Sequence, residues 1–305
     1  MNTLVKRKRK VAISRRIFNV LNFVFMLLVV AVMVLPYVHV IAKSLNDAKD
    51  TAKGGITLWP RKFTWLNYEA VIMDEAFLRA AIVSVLRVLA GTLLALVVQF
   101  MAAYAFTRKD LIGRGPLLMF LMIPMYFGGG LIPTYILFAN TGFINNYLTY
   151  ILPSCFSLYN MVIIRSYINT LPAGLTEAAK LDGASEMGIL LRIVVPLSKP
   201  IMATMALWSA VGHWSDWTTT MYYFTKKKMF TLQYVLVRIL KEAQAIADLI
   251  RDALMRGEII NLEMNITPEA VQCAQIIVTT VPIIISYPFL QKYFIHGVVM
   301  GAVKD

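Results

Sequence analysis

The amino-acid sequence predicts an all-α, polytopic membrane protein with six transmembrane helices. Hydrophobic residue types make up 58% of the chain, against roughly 45–50% in an ordinary soluble domain. Charged residues are only 15%, too few to cover a soluble fold around so large an apolar content. The apolar residues also gather into runs of bilayer-spanning length, separated by polar segments.

The first expected span covers 17–42. It exceeds the roughly 7–15 residues of a signal-peptide core, so Ala42 is not read as a cleavage site and the segment stays as an uncleaved helix. The second covers 77–106, long enough to tilt or protrude. The third begins near Pro116 and ends near Phe138. The fourth covers 147–168, the fifth 200–223 and the sixth 271–293. Residues 1–16 then form a basic tail, 17–297 the six-helix transmembrane domain and 298–305 a short C-terminal tail.

The formal net charge of +13 raises a nucleic-acid reading, but its placement argues otherwise. Lys6, Arg7, Lys8, Arg9, Lys10, Arg15 and Arg16 stand directly before the first span, where they hold the N-terminus in the cytoplasm beside anionic lipid. No nucleic-acid recognition motif accompanies them. The loops agree on orientation: 107–115 carries Arg108, Lys109 and Arg114, 139–146 carries no Lys or Arg, and 169–199 carries Lys180, Arg192 and Lys199. Both termini are therefore expected in the cytoplasm. Cys155 and Cys273 fall inside expected spans and suggest no disulfide framework.

Two expected external segments are substantial. Residues 43–76 hold Trp59, Pro60 and Trp65, suited to the membrane interface. Residues 224–270 include a helix-like stretch, Leu232 to Met255, with Leu236, Ile239, Leu240, Ala243, Ile246 and Ile250 at helical spacing.

The informative segment is the loop 169–199. From Pro172 to Pro200 it reads PAGLTEAAKLDGASEMGILLRIVVPLSKP, which is two short helices and a turn. Pro172 suits a first helical position, and Glu177 to Leu181 favour helix. Gly183 suits a left-handed helix end. Ser185 can cap a second helix, which Pro196 would end. Connections in bundles are ordinarily about 2–8 residues, so this loop is oversized. A compact knob with Ala178 and Ala179 on its surface fits a groove in another protein, and Glu177 and Asp182 could pair with basic groups there.

The run Glu177-Ala178-Ala179, with Asp182, Gly183, Ala184, Ile193, Pro196 and Pro200, resembles the EAA signature of bacterial ABC importer permeases. The carbohydrate branch is the nearer resemblance, similar to the second maltose-permease subunit and its oligosaccharide relatives; the ending Gly301-Ala302-Val303-Lys304 resembles that branch too. Leu190 departs from the pattern, where the family often has Phe. The resemblance implies the ABC type I importer permease fold in a bacterial cell membrane. It implies that Glu177, Ala178, Ala179, Asp182, Gly183 and Ala184 form a coupling helix and turn seated on an ATP-hydrolysing subunit. The implied partners are two ATPase subunits, a second homologous permease and an extracytoplasmic solute-binding protein. That binding protein would meet the 224–270 loop, with Glu258 to Asn265 as a candidate insertion.

No phosphate loop occurs, so ATP and Mg would be used by partner subunits and no cofactor by this chain. His39, His213 and His296 are scattered and give no zinc motif, and no catalytic constellation marks a membrane enzyme. Gly128, Gly129 and Gly130 read either as a kinked helix end or as an unwound gate.

For the substrate path, Arg87 and Gln99 lie in the second span and Arg165 near the end of the fourth. Arg165 is placed to snorkel. Arg87 is too deep to do so and reads either as a structural pair or as a path residue. Trp208, His213, Trp214, Asp216 and Trp217 lie toward the outer half of the fifth span. They read either as an interfacial aromatic belt or as aromatic faces and hydrogen-bonding groups for a sugar ring. Two other transport readings stay open: an ion-coupled secondary transporter, which needs a midplane carboxylate, and an ABC permease for a non-sugar solute.

Overall fold

The structure, a computed structural model, describes residues 13–256 and 268–302. The basic cluster Lys6 to Lys10, the candidate insertion Glu258 to Asn265 and the last residues Val303, Lys304 and Asp305 lie outside the described residues. In chain order the helices are α1 Ile13–Ser44, α2 Ala48–Thr51, α3 Leu66–Met73, α4 Glu75–Thr107, α5 Arg114–Tyr126, α6 Leu131–Asn140 and α7 Leu158–Ile168. They continue as α8 Ala173–Leu181, α9 Glu186–Ile189, α10 Val195–Leu197, α11 Lys199–Ser215, α12 Thr218–Tyr223, α13 Leu232–Arg256 and α14 Glu269–Ala302. The described residues contain no strand, only an isolated bridge between Asn46 and Phe63.

Among the described residues, three helices are long and apolar enough to cross a membrane, in the segments Ser14–Ser44, Glu75–Thr107 and Glu269–Ser286. The number rises to five if each of two bent pairs counts as one span. This differs from the six unbroken spans that hydropathy suggests, and the breaks have local causes. The expected third span is split into α5 and α6 with a bend of 111°. Gly130, at φ 82° and ψ 172°, occupies backbone space that side-chain-bearing residues avoid. The expected fourth span is helical only over Leu158–Ile168. Pro153 supplies no N–H and biases Leu152 away from helix, and Ser157 starts a new helix by accepting from the Asn160 N–H at 3.4 Å. The fifth ends at Ser215, where Asp216 leaves the helix, and α12 starts afresh at Thr218.

The chain divides into two compact units, one of Met1–Val71 and Thr267–Ile277, the other of Ile72–Ile266 and Val278–Asp305. In the first unit, α1 leaves Phe18, Leu21, Phe25 and Leu28 exposed, the pattern of a helix whose solvent is hydrocarbon. The loop after α1 is organised by polar groups. Asn46 is fully buried and donates to Asp50 at 3.1 Å and Thr51 at 3.0 Å. Arg61 reaches the same Asp50 carboxylate at 3.0 Å. The Asn46 amide and the Arg61 guanidinium hold the Asp50 carboxyl below its ordinary range.

In the second unit the core joins α4, α7, the segment after α9 and α11. Phe100, Ala103 and Phe106 meet Leu158, Met161, Ile164 and Ile168, together with Ile189, Val194 and Met205. Gly91 of α4 lets α11 approach: a Cβ there would lie 2.3 Å from His213 Nε2. The amphipathic stretch expected over Leu232 to Met255 is present as α13. Its first turns bury Leu232, Val235 and Leu236.

Candidate functional site

Two places concentrate the charged and hydrogen-bonding residues of the second unit, one at the C-terminal end of α4 and one along its first half.

The first is the knob between α7 and α11. Pro172 stands just before α8 rather than inside it. The Gly183 N–H donates to the Lys180 carbonyl at 3.0 Å and the Ala184 N–H to the Ala179 carbonyl at 3.0 Å. Gly183 makes that closure at φ 76°. Ser185 then caps α9, accepting from the Gly188 N–H at 3.2 Å. The second helix does not run to Pro196 as a plain α-helix; it widens into a π turn over Leu190–Val194, which keeps Ile189, Leu190 and Val194 in the core. Glu177, Ala178, Asp182, Gly183 and Ala184 are exposed, while Ala179 is half-buried and packs against the core. Glu177 and Asp182 form no ion pair among the described residues.

Sequence reasoning missed what fastens this knob. Glu186 takes Lys180 at 2.8 Å on one carboxylate oxygen. Its other oxygen takes Arg108 at 2.7 Å and the Tyr104 hydroxyl at 2.6 Å. Arg108 also donates to the Tyr104 hydroxyl, with its guanidinium 4.3 Å from the ring centroid. The signal was faint: a carboxylate just after the Ser185 cap reads as ordinary helix-start chemistry.

The second place lies nearer the other end of α4. Arg87 donates to the Asp216 carboxylate and, at 3.0 Å, to the Asp216 carbonyl. Asp216 also accepts from the Thr218 N–H at 3.0 Å, the Thr218 hydroxyl at 2.7 Å, the Thr219 N–H at 3.1 Å and the Thr219 hydroxyl. The carboxylate thus caps α12 and holds the chain where α11 stops. The Arg87 guanidinium lies 4.6 Å from the Tyr150 ring centroid. Tyr150 in turn bonds Thr220 at 2.9 Å and the Met229 carbonyl at 2.8 Å, and stacks on Phe224 at 4.1 Å. Arg87 thus makes the ion pair that one of its two readings expects, while its Nε is buried without a hydrogen-bond partner among the described residues. Tyr150, Thr218, Thr219 and Thr220 were not singled out from sequence, although an Asp two residues before a run of threonines can supply a helix-start carboxylate.

Of the remaining candidates, His213 lies within electrostatic reach of Arg87 and Asp216, and the others do not converge. His213 is buried against Gly91. Trp214 donates to the Thr279 carbonyl at 3.0 Å and lines an apolar cavity of about 460 Å³ with Val88, Leu207 and Pro282. Trp208 is 42% exposed, its ring stacked 6.4 Å from Tyr159. Trp217 lies under Lys241, whose Nζ is 4.6 Å from the ring centroid. Gln99 is buried and donates to the Cys155 carbonyl at 3.5 Å. No group of three or more His, Cys, Asp or Glu side chains among the described residues could hold a metal ion.

Residues 87–300 match the family described as binding-protein-dependent transport system inner membrane component. The chain is 31% identical to the polygalacturonan/rhamnogalacturonan transport system permease protein YtcP of Bacillus subtilis (strain 168), covering 95% of this chain and 99% of that one. It is 35% identical to the protein LplC of the same organism, covering 95% of each. Among solved structures, a bacterial ABC transporter involved in the import of the acidic polysaccharide alginate contains a chain of the same fold. That chain is 24% identical, with a TM-score of 0.83 over 93% of this chain and 99% of its own length.

Proposed function

The chain belongs to the family of binding-protein-dependent transport system inner membrane components, and from that premise we propose that it is the permease subunit through which an ABC importer carries an oligosaccharide across the cell membrane. The saccharide rests on the relative YtcP, a permease for polygalacturonan and rhamnogalacturonan. The observation that carries the coupling is the knob. Glu177 and Asp182 stand exposed on a turn that Gly183 and Ser185 fix in shape. Preformed, unpaired carboxylates beside small alanines suit a basic-lined cleft.

ATP, with Mg, is bound and hydrolysed by two partner ATPase subunits. Their closure carries α8 with it, and the spans exchange between inward-facing and outward-facing states, a population shift driven through one contact. A second permease completes the path, and a solute-binding protein delivers the sugar from outside. Both termini lie in the cytoplasm. Trp208 and Tyr159 expose aromatic faces that suit the apolar faces of sugar rings, so Trp208 leads the path candidates. Arg87, His213 and Asp216 hold the path in shape, with Trp214 and Trp217 at its flanks.

The ion-coupled alternative needs a carboxylate free to bind the coupling ion. Asp216, the acidic residue of the expected spans, is already taken by Arg87, Thr218 and Thr219, which disfavours that reading.

The test is copurification from native membranes in mild detergent, wild type beside the double variant Glu177→Arg, Gly183→Pro. Wild type should bring down an ATPase subunit and a second permease, and the double variant should lose the ATPase while retaining the permease. A wild-type chain that brings down no ATPase would overturn the proposal.

A further inference from the structure

We propose that the loop from Arg108 to Gly113 is a second docking contact for the ATP-hydrolysing subunit, held in register with the coupling helix by Glu186. The inference rests on the importer reading above and adds a surface that the EAA pattern does not contain.

Ile112 is 93% exposed and Leu181 89%, the two most exposed large apolar side chains among the described residues. Exposed apolar groups within the spans face hydrocarbon and need no other partner. These two stand elsewhere: Ile112 sits among Lys109, Asp110 and Arg114, and Leu181 between Lys180 and Asp182. Each forgoes the gain of burying its apolar surface. A partner that covers them recovers it.

The geometry ties the two loops into one surface. Glu186 bonds Lys180, the neighbour of Leu181, and Arg108, which opens the Ile112 loop. Tyr104 closes the clasp from α4. Between them lies a cleft of about 520 Å³ lined by Tyr104, Arg108, Asp110, Leu111, Ile112 and Glu186. The clasp is half-exposed and therefore adjustable rather than a rigid core contact. The occupant follows from continuity. A partner seated on the Glu177 helix stands next to the Arg108 loop, because Glu186 bonds both Lys180 and Arg108. The apolar lip of the cleft, with Lys109, Asp110 and Arg114 around Ile112, accepts a partner presenting an apolar side chain with charges of both signs beside it.

Because α4 ends at this clasp and carries Arg87 about 30 Å away along its axis, the second contact gives the partner a direct grip on α4. The coupling helix grips the α7–α11 connection instead. Glu186 is thus a positioning residue, acting through Arg108 and Lys180.

The experiment uses the assembled importer in detergent, in a background where Cys155 and Cys273 are replaced by Ala. Single Ile112→Cys and Leu181→Cys variants are reacted with a water-soluble maleimide, with and without the ATPase subunits. Assembly should slow labelling at both positions at least tenfold, and adding Glu186→Ala should restore fast labelling at Ile112→Cys while Leu181→Cys stays protected. Protection at Leu181→Cys with none at Ile112→Cys would overturn the second contact and leave the importer reading intact. No protection at either would overturn both. Protection of Ile112→Cys unaffected by Glu186→Ala would overturn the positioning role of Glu186.

Discussion

At the Arg87 end of α4, the Asp216 carboxylate accepts hydrogen bonds from Arg87, Thr218 and Thr219, and Arg87 is 5% exposed. In the knob between α7 and α11, Glu177 and Asp182 face outward with no ion pair among the described residues. The same residue types serve opposite purposes. Polar groups set among apolar spans must be satisfied within the chain, since lipid offers them nothing. Groups that dock a partner must stay unsatisfied until it arrives. On that ground the Arg87–Asp216 pair is proposed as structural, and the exposed Glu177 and Asp182 as the docking groups.

Substitutions at four places separate the two regions. The largest effect is expected at the inner pair. Arg87→Ala or Asp216→Ala alone leaves a charge without its partner and should cost about 3–5 kcal/mol. It should be read as a lowered melting temperature of the detergent-solubilised chain. The paired Arg87→Leu, Asp216→Leu variant should recover much of that loss. Singles that melt like wild type would show that the knot around Asp216 is dispensable.

Next comes the helix contact beside that knot. Gly91→Val places side-chain atoms where His213 Nε2 already sits, 2.3 Å from an ideal Cβ. About 1–3 kcal/mol of overpacking cost is expected, and adding His213→Ala should relieve it in the same melting assay.

In the knob, Gly183→Ala meets no neighbour within 4 Å. Its cost should come from the left-handed backbone alone, about 1–2 kcal/mol. Faster hydrogen exchange confined to α8 and α9 is the expected readout; slowed exchange would place the strain elsewhere.

The smallest stability effect is expected at Glu177→Gln, within about 0.5 kcal/mol because the side chain is exposed and unpaired. The same variant should bind the ATPase subunit several-fold more weakly in a pull-down titration. A stability loss rivalling that of Asp216→Ala would erase the distinction between the two regions.

The knob was the most legible part of the chain. Pro172, Gly183 and Ser185 act through local backbone chemistry, so their effects are written within a few residues of themselves. The spans were legible as apolar runs but not as unbroken helices. Hydropathy is blind to Pro153 and Gly130, which interrupt the helix without interrupting the apolar run. The Arg87–Asp216 pair was half legible: each residue stood out as an ionisable group in an apolar span, but their partnership joins positions 129 apart. The Glu186 clasp to Arg108 was not legible, because neither residue is unusual where it stands. Trp208, His213, Trp214 and Trp217 read as one cluster in sequence, yet they meet different neighbours: His213 and Trp214 are one apart on α11 and do not share a face, and Trp217 lies past the helix end at Ser215.

The most direct measurement is oligosaccharide uptake into proteoliposomes holding this chain, a second permease and the ATPase subunits, with the solute-binding protein outside. A labelled oligosaccharide that the solute-binding protein retains should accumulate only when ATP is enclosed and the binding protein is present, and Glu177→Arg should abolish accumulation while leaving the melting temperature unchanged. Accumulation driven by a proton or sodium gradient, with the ATPase subunits left out, would contradict the account.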